Sequence, residues 1–230
     1  KSVAANRLTT YVWRVSVEKP AHSGWILTAT ILTSGLGFFM GSAVNVALPT
    51  IQGYWDLTLP LVQWIANGYA LTLSAFILLS GSLGDLFGVR RVFNAGIILF
   101  TAAAALCGLA PTPGTLIAAR ALQGVGAAIM VPGSLAIINR LYPEKIRGRV
   151  IGLWAGISGA IAALGPLFGG LLAEVSWRFL FFFVLPLGVG ASIITSRYVP
   201  ALTAAERRSI DWKGAATVLL SLGGLSYGLV

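Results

Sequence analysis

Apolar residues in this chain fall into long blocks that charged residues do not interrupt. A helix needs about 20 mostly apolar residues to cross a hydrocarbon core, where the backbone must satisfy its own hydrogen bonds. Six blocks meet that length and predict spanning helices at Trp25–Leu48, Leu61–Ser80, Val92–Ala110, Thr115–Asn139, Val150–Ala173 and Phe179–Ser196. A seventh begins near Trp212 and is still apolar at Val230, which predicts a span continuing beyond that residue. The expected organisation is an N-terminal tail over 1–24, a six-helix transmembrane bundle over 25–198, a loop over 199–211, and the start of a seventh helix over 212–230. The predicted fold class is an all-α polytopic membrane protein.

The polar positions orient these blocks. Lys1, Arg7, Arg14 and Lys19 lie in the tail; Arg90 and Arg91 follow span two; Arg140, Lys145, Arg147 and Arg149 follow span four; Arg197, Arg207, Arg208 and Lys213 follow span six. These fourteen of the 16 Lys and Arg residues share one side of the predicted topology. Arg178 alone lies in a connection on the other side, and Arg120 lies inside a span. The positive-inside rule then places the N-terminus in the cytoplasm. No small-residue cleavage site accompanies the tail, so it reads as a cytoplasmic tail and not as a signal peptide. Trp25, Trp55, Trp64, Trp177 and Trp212 fall near span ends, where an indole straddles the apolar and headgroup layers.

Composition narrows the classes further. The chain is 57% hydrophobic and only 10% charged, against roughly 25% charged in soluble domains. It therefore lacks the polar surface to coat a soluble globule, and it is too apolar for disorder. A single cysteine excludes a disulfide scaffold. The net charge of +9 points to membrane topology and not to nucleic acid, because the cations sit between apolar runs.

Three stretches carry candidate chemistry. Between spans two and three, Gly81, Gly84 and Gly88 permit a tight reversal and close backbone approach, with Asp85 placed just ahead of Arg90 and Arg91. A plain polar turn between helices is the alternative reading. In span four, Arg120 is a cation inside a membrane helix, at about 2.5–3.5 kcal/mol on insertion scales. It lies about five residues, roughly 7.5 Å, from the outer end, so an interfacial anchor that snorkels outward is one reading. The other is a bundle-interior position facing a cavity: Gln123 lies at i+3 on the same face, and Gly124, Gly126, Ala127 and Ala128 admit a close neighbour. In span five, Gly152, Gly156, Gly159, Ala160 and Ala163 form a flat packing strip. Gly165, Pro166, Gly169 and Gly170 follow it, and Pro166 removes the hydrogen bond to the Ala162 carbonyl, which predicts a bend. Pro132 and Pro186 predict kinks in spans four and six.

These stretches together resemble the major facilitator superfamily. Gly81, Leu83, Asp85, Gly88 and Arg90 match its loop signature, with Leu86 and Val89 standing where basic residues are usual. Leu116, Arg120, Gln123, Gly124, Gly126, Ala127 and Ala128 match its fourth-helix signature. Gly165, Pro166, Gly169 and Gly170 resemble the fifth-helix motif of the antiporter branch. Trp177, Arg178, Pro186 and Gly188 resemble a stretch of the fourteen-helix drug:proton antiporters, with Val184 in place of an Asn, and Asp211 to Gly214 resemble the entry to that branch's extra helix. The resemblance implies an N-terminal half of a transporter, its C-terminal half lying beyond this chain. It implies Asp85 as the acid of a cytoplasmic gating latch, Arg90 as a base of it and Arg140 as a partner. It also implicates Arg120 in substrate or proton coupling. Gly81/Gly170, Leu83/Leu172, Gly84/Ala173 and Asp85/Glu174 pair up three spans apart, as a 3+3 inverted repeat requires. A pairing of Glu174 with Arg178 at the outer surface is open to this spacing, and as an exposed pair it would contribute little.

The expected function is export of hydrophobic or amphipathic small molecules by alternating access in exchange for protons, from the plasma (inner) membrane. Asn45, Arg120 and Gln123 are the candidate polar groups of the substrate or proton pathway. A proton carrier is not evident. The acids Glu18, Asp56, Asp85, Glu144, Glu174, Glu206 and Asp211 all avoid the middles of spans, and His22, the single histidine, precedes span one. The run from Met40 to Pro49 resembles the antiporter first-helix motif with Met40 where that motif has an Asp. No enzyme constellation, metal cluster, nucleotide loop or cofactor site is legible. The alternatives are a facilitator-type transporter of another small solute with different coupling, or a non-transporting membrane receptor or assembly subunit.

Overall fold

The structure, a computed structural model, describes residues 22–201 and, beyond them, positions 214, 217, 220, 221, 224 and 228, all helical. The tail up to residue 21, most of the expected loop and most of the seventh span lie outside the described residues. Six helices run in order: α1 Ser23–Trp55, α2 Leu59–Phe87, α3 Val89–Leu109, α4 Pro113–Leu141, α5 Glu144–Val175 and α6 Trp177–Tyr198. No strand occurs among the described residues. Five of the helices are each long and apolar enough to cross a membrane. The sixth, α2, qualifies as two segments, Leu59–Ile77 and Leu79–Phe87, that meet at 54°.

Every helix outruns the apolar block that predicted it at one end at least. α1 has 33 residues, about 50 Å at helical rise, against a hydrocarbon core of about 30 Å. An apolar block marks only the part of a helix that lipid or protein must shield, whereas the backbone ladder continues into polar flanks until a cap ends it. The caps are legible. Asp56 takes a left-handed conformation after α1 and its N–H returns to the Gln52 carbonyl. Thr112 and Thr115 form a capping box at the start of α4, with Pro113 in the first turn. The Ser176 hydroxyl accepts from the Arg178 N–H to open α6.

The run from Gly81 to Arg91 corrects the expectation of a loop. α2 continues to Phe87 and α3 begins at Val89, so Gly81, Leu83 and Asp85 are helical and Gly88 alone is not. Gly88 makes the turn at φ 88°, a conformation open to glycine and costly to residues with a Cβ. Gly81 and Gly84 do not break the helix. A membrane helix tolerates glycine when neighbouring elements hold it, and the Val89 side chain packs on Gly84. The prolines behave in the same way: α4, α5 and α6 run unbroken through Pro132, Pro166 and Pro186.

The most extensive helix pairings are α1 with α5 and α2 with α4, with α3 lying against α4 and α6. Exchanging the first three helices for the last three turns the α1–α5 pairing into α4–α2, as a 3+3 repeat requires. The burial is lopsided. The most apolar stretch of α1 is 61% buried within the bundle, that of α5 only 22%. Met40, Phe93, Phe100, Met130 and Phe181 fill the interior.

At the end opposite the main cation cluster, Trp177 is the first residue of α6, as expected at a span end, and is enclosed by other aromatic rings. It is 2% exposed, with ring centroids 5.1 Å from Trp55 and 5.9 Å from Tyr54. Arg178 lies 4.5 Å above its ring and donates to the Gly108 carbonyl at 2.7 Å, which ties α6 to the end of α3. Arg178 is therefore engaged elsewhere, and among the described residues it forms no ion pair with Glu174.

Candidate functional site

At the cation-rich end, the last turns of α2 and α4 bring Asp85 and Arg140 together. The Arg140 Nη2 donates to Asp85 Oδ1 at 2.7 Å, with the side chains 30% and 29% exposed. Arg140 sits in the last turn of α4, where the unpaired carbonyls of the helix also favour a cation. The pair bridges two helices that already pack closely, so at this exposure its electrostatic contribution to stability is small. Its consequence is geometric: it fixes the end of the bent α2. Beneath it lies a cavity of about 230 Å³ between α2, α3 and α4, lined by Ser80, Gly84, Asp85, Phe93 and Pro132 among others. Arg90 is not drawn into this pair. Its guanidinium turns to α6 and donates to the Ser196 carbonyl.

Deeper in the bundle, Arg120 does not snorkel. It is 1% exposed and Gln123 is fully buried. The Arg120 Nη1 donates to Gln123 Oε1 at 2.7 Å, its Nε approaches the Ile65 carbonyl at 3.4 Å, and its guanidinium lies 4.3 Å from the centre of the Tyr69 ring. Tyr69 in turn donates its hydroxyl to the Gly37 carbonyl at 2.8 Å. The arginine on α4 is thus held by an amide, a backbone carbonyl and an aromatic face, with no carboxylate on it among the described residues. The second amide atom, Gln123 Nε2, is buried without a partner. Asn45 stands apart from this cluster. It is exposed on α1 and its amide donates to the Gly41 carbonyl one turn back. The structure therefore brings together Arg120 and Gln123, and does not add Asn45 to them.

The α5 motif residues form the seam with α1. A Cβ on Gly165 would lie 2.0 Å from Ser42 Oγ and 3.1 Å from the Phe39 carbonyl oxygen; one on Gly169 would lie 2.6 Å from the Ala43 carbonyl oxygen. Only glycine allows this approach. Gly170 is looser, with Val46 at 3.9 Å. Pro166 leaves the Ala162 carbonyl without its helical donor, and Ser42 supplies one, donating at 2.8 Å. The rest of the strip is bare: a Cβ on Gly152, Gly156 or Gly159 would meet nothing within 4 Å.

Sequence reasoning did not single out Tyr69, Ser42 or a polar junction of α1, α4 and α5. There Ser34 Oγ donates to Ser134 Oγ at 2.9 Å, and Trp154 Nε1 reaches Ser34 Oγ at 3.2 Å and the Thr30 carbonyl at 3.3 Å. A lone hydroxyl in an apolar block gives no periodic signal. The one available clue was the unpaired Ala162 carbonyl, which demanded a donor from a neighbour.

Residues 28–228 match the profile of the Major Facilitator Superfamily. The chain is 36% identical over 207 residues to the multidrug resistance protein Stp of Mycobacterium tuberculosis, covering 87% of this chain and 38% of that protein. It is 38% identical over 200 residues to the methylenomycin A resistance protein of Streptomyces coelicolor, covering 84% of this chain and 42% of the relative. The chain thus spans less than half the length of these relatives. The solved structure of a human organic anion transporter superposes with a TM-score of 0.67 at 18% identity, over 86% of this chain and 53% of the other. With residues 28–228 in the profile and the same bundle in a solved transporter, this multi-pass membrane chain belongs to the Major Facilitator Superfamily, a family of transporters and not of enzymes.

Proposed function

We propose that this chain is the N-terminal half of an exporter of hydrophobic or amphipathic small molecules that works by alternating access in exchange for protons. The observation that carries the two-part reading is the division of α5. Gly165 and Gly169 lock one side of it to α1, while Gly152, Gly156 and Gly159 present a small-residue strip with no neighbour. A strip of that kind allows close helix packing, and a second bundle rocking against it would open and close a path at the interface. The printed names of the relatives, multidrug resistance and methylenomycin A resistance, support export of small organic molecules. The protein is proposed to lie in the plasma (inner) membrane with its N-terminus in the cytoplasm, on the strength of the cation distribution. In that orientation the Asp85–Arg140 pair is a cytoplasmic gate element, and Gly81, Leu83, Gly88 and Arg90 shape the helix ends around it. Asn45, Arg120 and Gln123 are proposed for the substrate or proton pathway, with the second half of the protein as the partner that completes it.

A specific observation favours a second reading, transport of a small solute without proton exchange. Position 40 in α1 is a fully buried methionine, and no carboxylate lies in the described interior. The test uses full-length protein in proteoliposomes with an imposed pH gradient and a lipophilic dye inside a quenching lumen. Gradient-driven dye movement with matching proton flux is expected. Dye movement without proton flux selects the second reading, and no movement of any amphipathic probe overturns export. Arg120→Ala is expected to abolish transport while leaving membrane insertion intact.

A further inference from the structure

A cleft lies apart from the α5 strip, between the start of α3 and the end of α6. It encloses about 800 Å³, and its lining includes Phe87, Arg90, Arg91, Asn94, Ile98 and Ser196. Among the described residues that line it there is no carboxylate. The walls are built before anything enters. Arg90 donates to the Ser196 carbonyl, Asn94 Nδ2 donates to Ser196 Oγ at 3.2 Å, and Ser192 Oγ donates to Asn94 Oδ1 at 2.9 Å. This ladder fastens α3 to α6 and orients the Asn94 amide. Polarity then falls along one face of α3, from the exposed cation Arg91 through Asn94 at i+3 to Ile98 at i+7, which is 54% exposed. Phe87, 61% exposed, flanks the cationic mouth.

We propose that this cleft is a binding site for one anionic phospholipid of the leaflet that faces the cation-rich end. The headgroup phosphate lies on Arg91 and the free donors of Arg90, and an acyl chain runs down past Ile98. The chemistry recognised is a phosphate anion carrying a hydrocarbon tail. Cations at headgroup level attract anionic lipid, and an apolar groove leading directly away from them fits a chain and not a solute. Asp85 and Arg140 stay outside the cleft while Gly88 and Arg90 line it, so the site adjoins the proposed gate, and lipid binding is measured without transport.

The experiment is native mass spectrometry of the full-length protein in detergent, titrated separately with phosphatidylglycerol, phosphatidylcholine and inorganic phosphate. One phosphatidylglycerol per chain is expected at concentrations where neither other probe binds. Arg91→Gln should weaken that binding about five-fold, Arg91→Lys should largely restore it, and Ile98→Asp should also weaken it. Arg149→Gln, which removes another exposed cation, on α5, should change it less than two-fold. Equal losses in Arg91→Gln and Arg149→Gln would reduce the effect to diffuse surface charge and overturn the site. Comparable phosphatidylcholine binding would overturn selectivity for an anionic lipid, and saturable inorganic phosphate at the same Arg91 would assign a free-anion site instead. A rise in phosphatidylglycerol binding when Glu206 and Asp211 are both neutralised would assign the cleft to the chain's own segment after Ala201, also overturning the proposal.

Discussion

Among the described residues Arg120 is a cation held in the bundle interior without an anion. Its guanidinium is surrounded by a ring face, an amide oxygen and a carbonyl, each a partial negative charge, so no full countercharge has to be buried with it. Tyr69 carries two of the links in this arrangement, and they separate by mutation. Tyr69→Phe removes only the hydroxyl bond to Gly37, worth about 0.6 kcal/mol inside a membrane protein. Tyr69→Leu also removes the ring face under the guanidinium, a further loss of about 2 kcal/mol for a desolvated cation–π contact. Unfolding of the purified protein should therefore show a small loss for the first and a several-fold larger one for the second; equal losses would mean that the ring contact contributes nothing. Asp85→Asn makes the contrasting case. At about 30% exposure its pair is worth about 0.2–1 kcal/mol, so the melting temperature should barely move. If the pair gates, transport should fall severely in the same variant, and unchanged transport would leave it a surface contact.

Among the elements, two seams use the same device. On α1–α5, Gly165 admits Ser42, whose hydroxyl reaches the Ala162 carbonyl; on α2–α4, Gly124 admits Thr72, whose hydroxyl donates to the Ala121 carbonyl at 2.7 Å. In each the glycine sits three residues after the accepting carbonyl, so the missing side chain opens the path to it. Gly165→Ala should cost about 1–3 kcal/mol through overpacking, because its methyl would meet Ser42 Oγ at 2.0 Å. Adding Ser42→Ala should recover part of that loss, so that the double variant loses less than the sum of the two single losses. Strictly additive losses measured by unfolding would mean the clash lies with the backbone alone. The helices themselves were legible as apolar blocks, and the small residues of α5 mark a close approach at Gly165 and Gly169 but meet no neighbour at Gly152, Gly156 and Gly159. The partner was not legible: nothing in the block around Ser42 distinguishes it from Ser34, which turned out to serve a different junction. The reading of Gly81–Arg91 as a loop failed for a related reason. Glycine and a lone Asp mark a break in water, but at a membrane helix end the backbone ladder outlasts them, and only Gly88, with its positive φ, stops it.

At the scale of the whole molecule, the unfilled strip on α5 distinguishes a bundle made for lipid from one made for a partner. Exposed positions on α3 carry bulky side chains such as Leu106 and Leu109, 52% and 67% exposed, whereas the exposed face of α5 interleaves its glycines with Leu153 and Ile157. The strip carries glycine, which offers lipid little and a neighbouring helix a great deal. If the second half of the protein moves against it, Gly156→Trp should spare the fold of this half, since a Cβ there meets nothing within 4 Å, yet jam the interface. In full-length protein, Gly156→Trp is expected to reduce transport at least ten-fold with normal expression and melting temperature. Leu106→Trp, which puts the same side chain at an exposed position of α3, should stay within two-fold of the parent. Indistinguishable transport in the two variants would make the strip one more lipid face and would remove the structural basis for a two-part mechanism.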